Sequence, residues 1–227
     1  MHNDYKILAL IPARAGSKRV PYKNIRDLCG KPLMQWSVDF AFDSKLFDPV
    51  VVSTDSREYA MMAEDWGAWP IMRPQEFASD YAGDFEVIRH CLFLHDCNLV
   101  AYLRPTTPFR DAQVVKEAIE FMLEKGASSL RSVERMKESA FKCFTMNCGF
   151  LNPITEKDQT DLPNQAVEQT FHPNGYIDLT RTENIKRGLL WGARKAGFMT
   201  PAVPEIDTEE DFEYAKWWYE RRKNENR

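Results

Sequence analysis

The sequence predicts an α/β fold, a mostly parallel sheet with helices on both faces and an antiparallel excursion from it. Two observations carry that expectation. Through the first 126 residues, apolar strand-sized runs alternate with amphipathic helical stretches, the pattern of a parallel sheet covered by helices. From about residue 130 the rhythm changes to strand-like runs joined by polar, Pro-containing connections. The 227 residues suit a single domain, with the excursion, a candidate dimer contact, at about residues 134–180.

Each element has its own local reason. Residues 5–11 are almost continuously apolar and end at Pro12, as expected of a strand buried on both faces. A polar loop follows, and Pro32 opens a helix through Leu33, Trp36 and Phe40. Residues 50–53 read as a strand, Ser56 as the N-cap of a helix running to Trp66, and Gly67 as its C-terminal stop. A strand at 69–72 precedes a helix with Phe85, Ile88, Cys91 and Leu92 on one stripe, then a strand at 99–103. Asp111 caps a helix carrying Val114, Val115, Ala118, Ile119 and Met122. Beyond it, residues 128–133, 140–146 and 175–179 read as strands. The last helix starts at Thr208, where Asp211 completes a capping box, and ends in basic residues that suit the helix dipole.

Composition narrows the function. Apolar residues are 44 % and aromatics 12 %, enough for a core and against wholesale disorder. Thirty Lys and Arg against 34 Asp and Glu leave a net charge of −4, with no bulk attraction to nucleic acid or an anionic membrane. No apolar run has the length of a membrane span. The first residues lack a basic and an apolar segment, so the expectation is no signal peptide and a cytoplasmic protein. Five irregularly spaced cysteines read as reduced thiols, with Cys143 and Cys148 placed to face each other across a hairpin. Four scattered histidines make no zinc site.

Two segments carry chemistry. Between Ala13 and Arg26 stand five cations, Arg14, Lys18, Arg19, Lys23 and Arg26, and no acid. Ala13, Ala15, Gly16 and Ser17 are small enough for a ligand to approach the backbone. A cationic loop leaving the carboxyl end of a buried strand is a nest for a polyphosphate, although the glycine pattern of a Walker A loop is absent. Near the other end, Glu205 and Asp207 lie two apart in an extended stretch, so both can point to one face. Opposite a polyphosphate, such a pair suits Mg²⁺, whose octahedron phosphates and waters complete.

The blocks at 11–24 (Ile-Pro-Ala-Arg-Ala-Gly-Ser-Lys-Arg-Val-Pro-Tyr-Lys-Asn), Gly30-Lys-Pro-Leu33, Val52-Ser-Thr-Asp55, Arg73-Pro74 with Ala78-Ser-Asp80, Pro105-Thr-Thr-Pro-Phe-Arg110, Pro173-Asn-Gly175 and Ile206-Asp-Thr208 occur in that order. Together they resemble the acylneuraminate cytidylyltransferases, or CMP-sialic acid synthetases, a family whose wider membership acts on pseudaminic, legionaminic and, more distantly, octulosonic acids. The resemblance implies a nucleotide-diphospho-sugar-transferase, Rossmann-like fold, a homodimer, CTP as donor and Mg²⁺ as cofactor. It implies attack by the anomeric hydroxyl of a 2-keto-3-deoxy sugar acid on the α-phosphorus of CTP, with pyrophosphate leaving. Arg14, Lys18 and Lys23 would hold the triphosphate, with Ala13, Gly16, Ser17 and Asn24 beside them. Arg73, Ala78, Ser79 and Asp80 would face the cytidine, and Asp207 with Glu205 the metal.

Departures from the family pattern concentrate on the acceptor side. Glu205 stands for an aspartate, Arg104 for a glutamine, His172 and Asn164 for arginines, and Asp178 for a tyrosine. Arg104 could fork onto the acceptor carboxylate and Asp178 could meet an amino or hydroxyl substituent, with Lys142, His172 and Asn174 nearby. These changes leave CTP activation intact and unsettle N-acetylneuraminate as the acceptor. A nucleotidyltransferase for another base or sugar phosphate, a 3-deoxy-octulosonate cytidylyltransferase, and a nucleotide-sugar-binding homologue without turnover stay open at this level.

Overall fold

A computed structural model describes residues 5–79 and 82–225. In chain order it runs β1 (Ile7–Pro12), β2 (Asp27–Leu28), β3 (Lys31–Pro32), α1 (Leu33–Ser44), β4 (Val50–Thr54), α2 (Arg57–Asp65), β5 (Trp69–Met72) and α3 (Asp84–Leu92). It continues with β6 (Leu99–Tyr102), α4 (Ala112–Glu124), β7 (Ser129–Arg135), β8 (Phe144–Asn147), β9 (Phe150–Pro153), β10 (Phe171–Arg181), α5 (Thr182–Lys186), β11 (Lys195–Met199) and α6 (Glu209–Glu225).

Seven strands form one sheet in the order β11-β7-β10-β6-β1-β4-β5. Only β10 runs against the rest; it pairs antiparallel with both β6 and β7. The two-residue period of the strands divides the core. Ala9 and Ile11 of β1 face α1, α2 and α4 through Met34, Val38, Tyr59, Val115 and Ile119. Leu8 and Leu10 face α3 and α5 through Val87, Ile88, Cys91 and Ile185. Both faces are therefore covered, which is why β1 reads as an unbroken apolar run.

Helix ends follow the local signals. Ser56 Oγ accepts the Tyr59 N–H at 3.3 Å, and Asp111 Oδ1 accepts from Gln113 and Val114 at 2.7 and 3.2 Å. At α6 the Thr208 Oγ1 accepts the Asp211 N–H (3.2 Å), while Asp211 Oδ2 accepts from Thr208 and Asp207 (2.9 and 3.0 Å).

The excursion corrects two sequence expectations. The strand expected at 140–146 begins only at Phe144, because Ser139 Oγ accepts the Phe141 N–H and winds Ala140–Lys142 into a 3₁₀ turn. β8 and β9 then pair as a hairpin. Cys148 lies in its turn at φ +49°, while the carbonyl of Cys143 accepts the N–H of Ile154, so the two thiols do not face each other across the ladder. All five cysteines are free thiols. Among the described residues no helix is long and apolar enough to cross a membrane.

Candidate active site

β1, β4 and β6 end side by side, and the segments leaving them wall a cleft of about 320 Å³. Connections diverge on either side of β1 here, at the point where open α/β sheets bind ligands.

Hydrogen bonds to its backbone pin the loop after β1 over this cleft. Ala13 donates to Ser53 O (2.9 Å), Ala15 to Asp55 Oδ1 (2.8 Å), and Asn24 Nδ2 to Arg14 O (2.9 Å). Arg14, Ser17, Lys18, Arg19, Lys23 and Asn24 consequently line the cleft. Val20 anchors the far side of the loop, fully buried against Leu28, Leu33, Ile206 and Phe212. Burying Val20 and Ile206 contributes roughly 1.5–3 kcal/mol each, more than an exposed ion pair of about 0–1 kcal/mol such as Arg26 with Glu209 at 2.7 Å. The apolar cluster therefore decides that the loop meets the entry to α6.

Ile206 donates its N–H to Thr106 O at 2.8 Å, which lays the acidic segment along the end of β6. Lys23 Nζ then stands 3.1 Å and Arg19 Nη2 3.2 Å from the same Asp207 oxygen. Lys18 and Asp207 line one cleft. Glu205 has its pKa raised, first by burial and then by the Asp207 charge, against weaker opposing pulls from Arg104, Lys23 and His172. Two carboxylates that repel each other beside a phosphate-type loop fit a hard divalent ion such as Mg²⁺, which takes few protein oxygens. Among the described residues no group of three or more His, Cys, Asp or Glu could hold a metal alone.

On another wall, Arg73 is buried and ties its segment to β4. It donates to Ser53 O (2.7 Å), Ser53 Oγ (3.2 Å) and Phe77 O (3.2 Å). Ser79 lines the cleft, and Ala78 O accepts from Arg14 Nη1 at 3.5 Å. Asp80 lies outside the described residues. Ala13 is buried beneath the loop, and a Cβ placed on Gly16 would meet nothing within 4 Å.

Arg104, just past β6, lines the cleft with its guanidinium 4.8 Å from the Tyr102 ring. It gives one nitrogen to Asp178 and the other to Asp84. The Asp178 side chain is 0 % exposed and also takes Arg131 Nε at 3.1 Å. It lies behind Arg104, paired with two arginines, and does not line the cleft. His172 pairs with Glu134 (2.8 Å), Asn174 Nδ2 with Thr200 Oγ1 (2.8 Å), and Lys142 with Glu138 and Asn164 (3.3 and 3.0 Å). These three stand off the cleft wall. β10 bulges between Pro173 and Asp178, and Gly175 at φ +68° brings its backbone against Thr107, Glu205 and Arg104. Sequence reasoning missed Asp84, Tyr102 and Arg131. Asp84 carries no motif and resembles any first-turn acid of a helix, while the other two are ordinary strand residues.

The cytidylyltransferase family model matches residues 8–186. The chain belongs to the cytidylyltransferase family. It is 32 % identical over 216 residues to an N-acylneuraminate cytidylyltransferase of Escherichia coli O18:K1:H7, a match covering 92 % of this chain and 51 % of that protein. It is 29 % identical over 227 residues to a pseudaminic acid cytidylyltransferase of Campylobacter jejuni, covering 94 % of this chain and 96 % of that one. The chain thus spans about half the length of the first relative and nearly all of the second. A solved CMP:2-keto-3-deoxy-manno-octonic acid synthetase, complexed with CTP, superposes with a TM-score of 0.73 at 17 % identity, covering 96 % of this chain and 99 % of that one. That likeness shows that this cytidylyltransferase-family chain has the synthetase's fold.

Proposed function

We propose that the chain transfers CMP from CTP to the anomeric hydroxyl of a 2-keto-3-deoxy sugar acid of the sialic-acid-like, nine-carbon class, releasing pyrophosphate, with Mg²⁺ as cofactor. The observation that carries this reading is the shared cleft of Lys18 and Asp207. Relatives named for N-acylneuraminate and pseudaminic acid support the acceptor class.

Arg14, Lys18 and Lys23 bind and orient the triphosphate, with Ser17, Asn24 and the loop backbone donating to its oxygens. Such transfer needs positioning and charge neutralisation more than covalent help. Asp207 and Glu205 would hold Mg²⁺, which when bound neutralises charge on the reacting phosphate. The cytosine lies against the wall of Arg73, Ala78 and Ser79. The acceptor enters between Arg104 and Glu205, its carboxylate on Arg104, with His172, Asn174 and Lys142 farther out. The proposal includes a cytoplasmic homodimer. Met146, Phe150 and Leu151 of the β8–β9 hairpin are each more than half exposed, an apolar surface suited to a second copy.

The test is pure protein with CTP, Mg²⁺ and a panel of neuraminic, legionaminic, pseudaminic and octulosonic acids, reading pyrophosphate release and product mass. At least one nine-carbon acid should turn over. Lys18→Ala should then lose roughly a hundred- to a thousand-fold in rate. A folded protein silent across the panel rejects the reading.

A further inference from the structure

We propose that Asp84 sets the protein's affinity for its acceptor by occupying the arginine that reads the acceptor's carboxylate. The inference rests on the reading above, because it requires a carboxylate-bearing acceptor.

Arg104 splits its fork between two acids of the chain, and those acids are held differently. Asp178 is sealed in the sheet with a side-chain exposure of 0 %, and Arg131 holds it from the other side at 3.1 Å through Nε and 3.4 Å through Nη2. The Asp178 side of Arg104 is fixed by burial. Asp84 opens α3 with a side-chain exposure of 36 % and lines the cleft. Of the two acids on Arg104, it is the one that solvent and a ligand can reach.

Partner counting on Arg104 gives the same answer. Arg104 and Arg131 face Asp178 and Asp84, with Glu205 a further acid close enough to feel Arg104. When Asp84 turns out to solvent, one Arg104 nitrogen at the cleft wall loses its carboxylate partner. An acceptor carboxylate takes the vacated place in the same charge-assisted geometry. Each binding event therefore exchanges one carboxylate for another, and the acceptor gains only the difference. Asp84 is a resident competitor, Asp178 and Arg131 are positioning residues for Arg104, and the substituted Arg104 becomes a carboxylate reader of moderated affinity.

The experiment is steady-state kinetics of wild type, Asp84→Asn and Asp84→Ser with the acceptor that turns over, alongside CTP-dependent thermal shifts that report folding and the nucleotide site. The asparagine variant should lower the acceptor KM by about tenfold, equivalent to about 1.4 kcal/mol, with the CTP KM within about twofold of wild type. The serine variant should move the same way and serves if the first does not fold. A merely structural Asp84 would not tighten acceptor binding. An acceptor KM that rises or holds overturns the inference while leaving the proposed activity standing. A fall confined to the CTP KM also overturns it, since Arg104 would then serve the nucleotide. Absence of turnover with every acid, in wild type and variants alike, rejects the proposed activity and this inference together.

Discussion

Lys23 reaches across 184 residues of sequence to Asp207, its Nζ 3.1 Å from Oδ1, and the same ammonium bonds the Ile206 carbonyl at 3.0 Å. A cation of the polyphosphate loop thus sits on the carboxylate assigned to the metal, joined there by Arg19. Phosphate oxygens offer both cations a better partner, so nucleotide and metal should enter together. Lys23→Met should strengthen Mn²⁺ binding to the nucleotide-free protein by about two- to fivefold, the scale of one partly exposed ion pair, and weaken CTP binding. Electron paramagnetic resonance of Mn²⁺ reads the first effect and calorimetry the second. Unchanged Mn²⁺ affinity in the variant would show that Lys23 does not guard Asp207.

Glu205 gives a pH dependence of definite sign. Burial and Asp207 lift its folded pKa above the ordinary 4.5, so the folded chain holds that proton more tightly than the unfolded one. Stability therefore falls as pH rises from the ordinary value through the folded one, so the penalty is larger at neutral pH than at pH 4.5. Glu205→Gln removes the carboxylate charge that partial desolvation and Asp207 disfavour. The metal-free variant should melt higher than wild type at pH 7, with the difference shrinking as the pH falls towards 4.5, while Mg²⁺-dependent turnover drops by at least about tenfold. Thermal melts at the two pH values, with an activity assay, decide it. Equal melting temperatures at pH 7 would mean that the carboxylate pair stores no repulsion.

The hairpin makes a third prediction. Phe150 and Met146 are 74 % and 72 % exposed, and burying a phenylalanine contributes roughly 1.5–3 kcal/mol per copy. If a second copy covers them, wild type runs as a dimer in light scattering and Phe150→Asp shifts it to monomer without lowering the melting temperature of the monomer fold. A wild-type monomer at high micromolar concentration would refute the homodimer.

The parts legible in the sequence were those whose physics is local. The caps at Ser56, Asp111 and Thr208 form within three residues of their partners. The cationic loop and the Glu205–Asp207 pair announce themselves by residue type. What failed depends on distant partners. β11 is a sheet-edge strand of alternating half-buried and exposed residues, with too few apolar side chains to stand out. The turn at 140–142 owes its form to the Ser139 hydroxyl, which overrides an apolar Ala-Phe pair. Asp178 was visible as a substituted residue, but its orientation towards Arg131, 47 positions away, has no local signal.

Gly175 supplies the last prediction, because both its conformation and its surroundings resist a side chain. At φ +68° an alanine pays roughly 1–2 kcal/mol against ordinary backbone. Its Cβ would also lie 3.0 Å from Thr107 Oγ1 and 3.4 Å from Glu205 Oε1, with Arg104 Cδ at 3.7 Å. Thr107 Oγ1 is buried with no hydrogen-bond partner among the described residues, so no bond resists its displacement, while Glu205 and Arg104 lie at ordinary contact distance and the added methyl crowds the space between them. Gly175→Ala should therefore lower the melting temperature by about 2–4 °C for each kcal/mol lost, and raise the acceptor KM several-fold with little change for CTP. Gly16→Ala is the matched control, since its Cβ meets nothing within 4 Å; stability should stay within about 0.5 kcal/mol of wild type. Equal melting temperatures for the two variants would show that the bulge yields freely, and an acceptor KM unmoved in Gly175→Ala would place the sugar acid elsewhere than between Arg104 and Glu205.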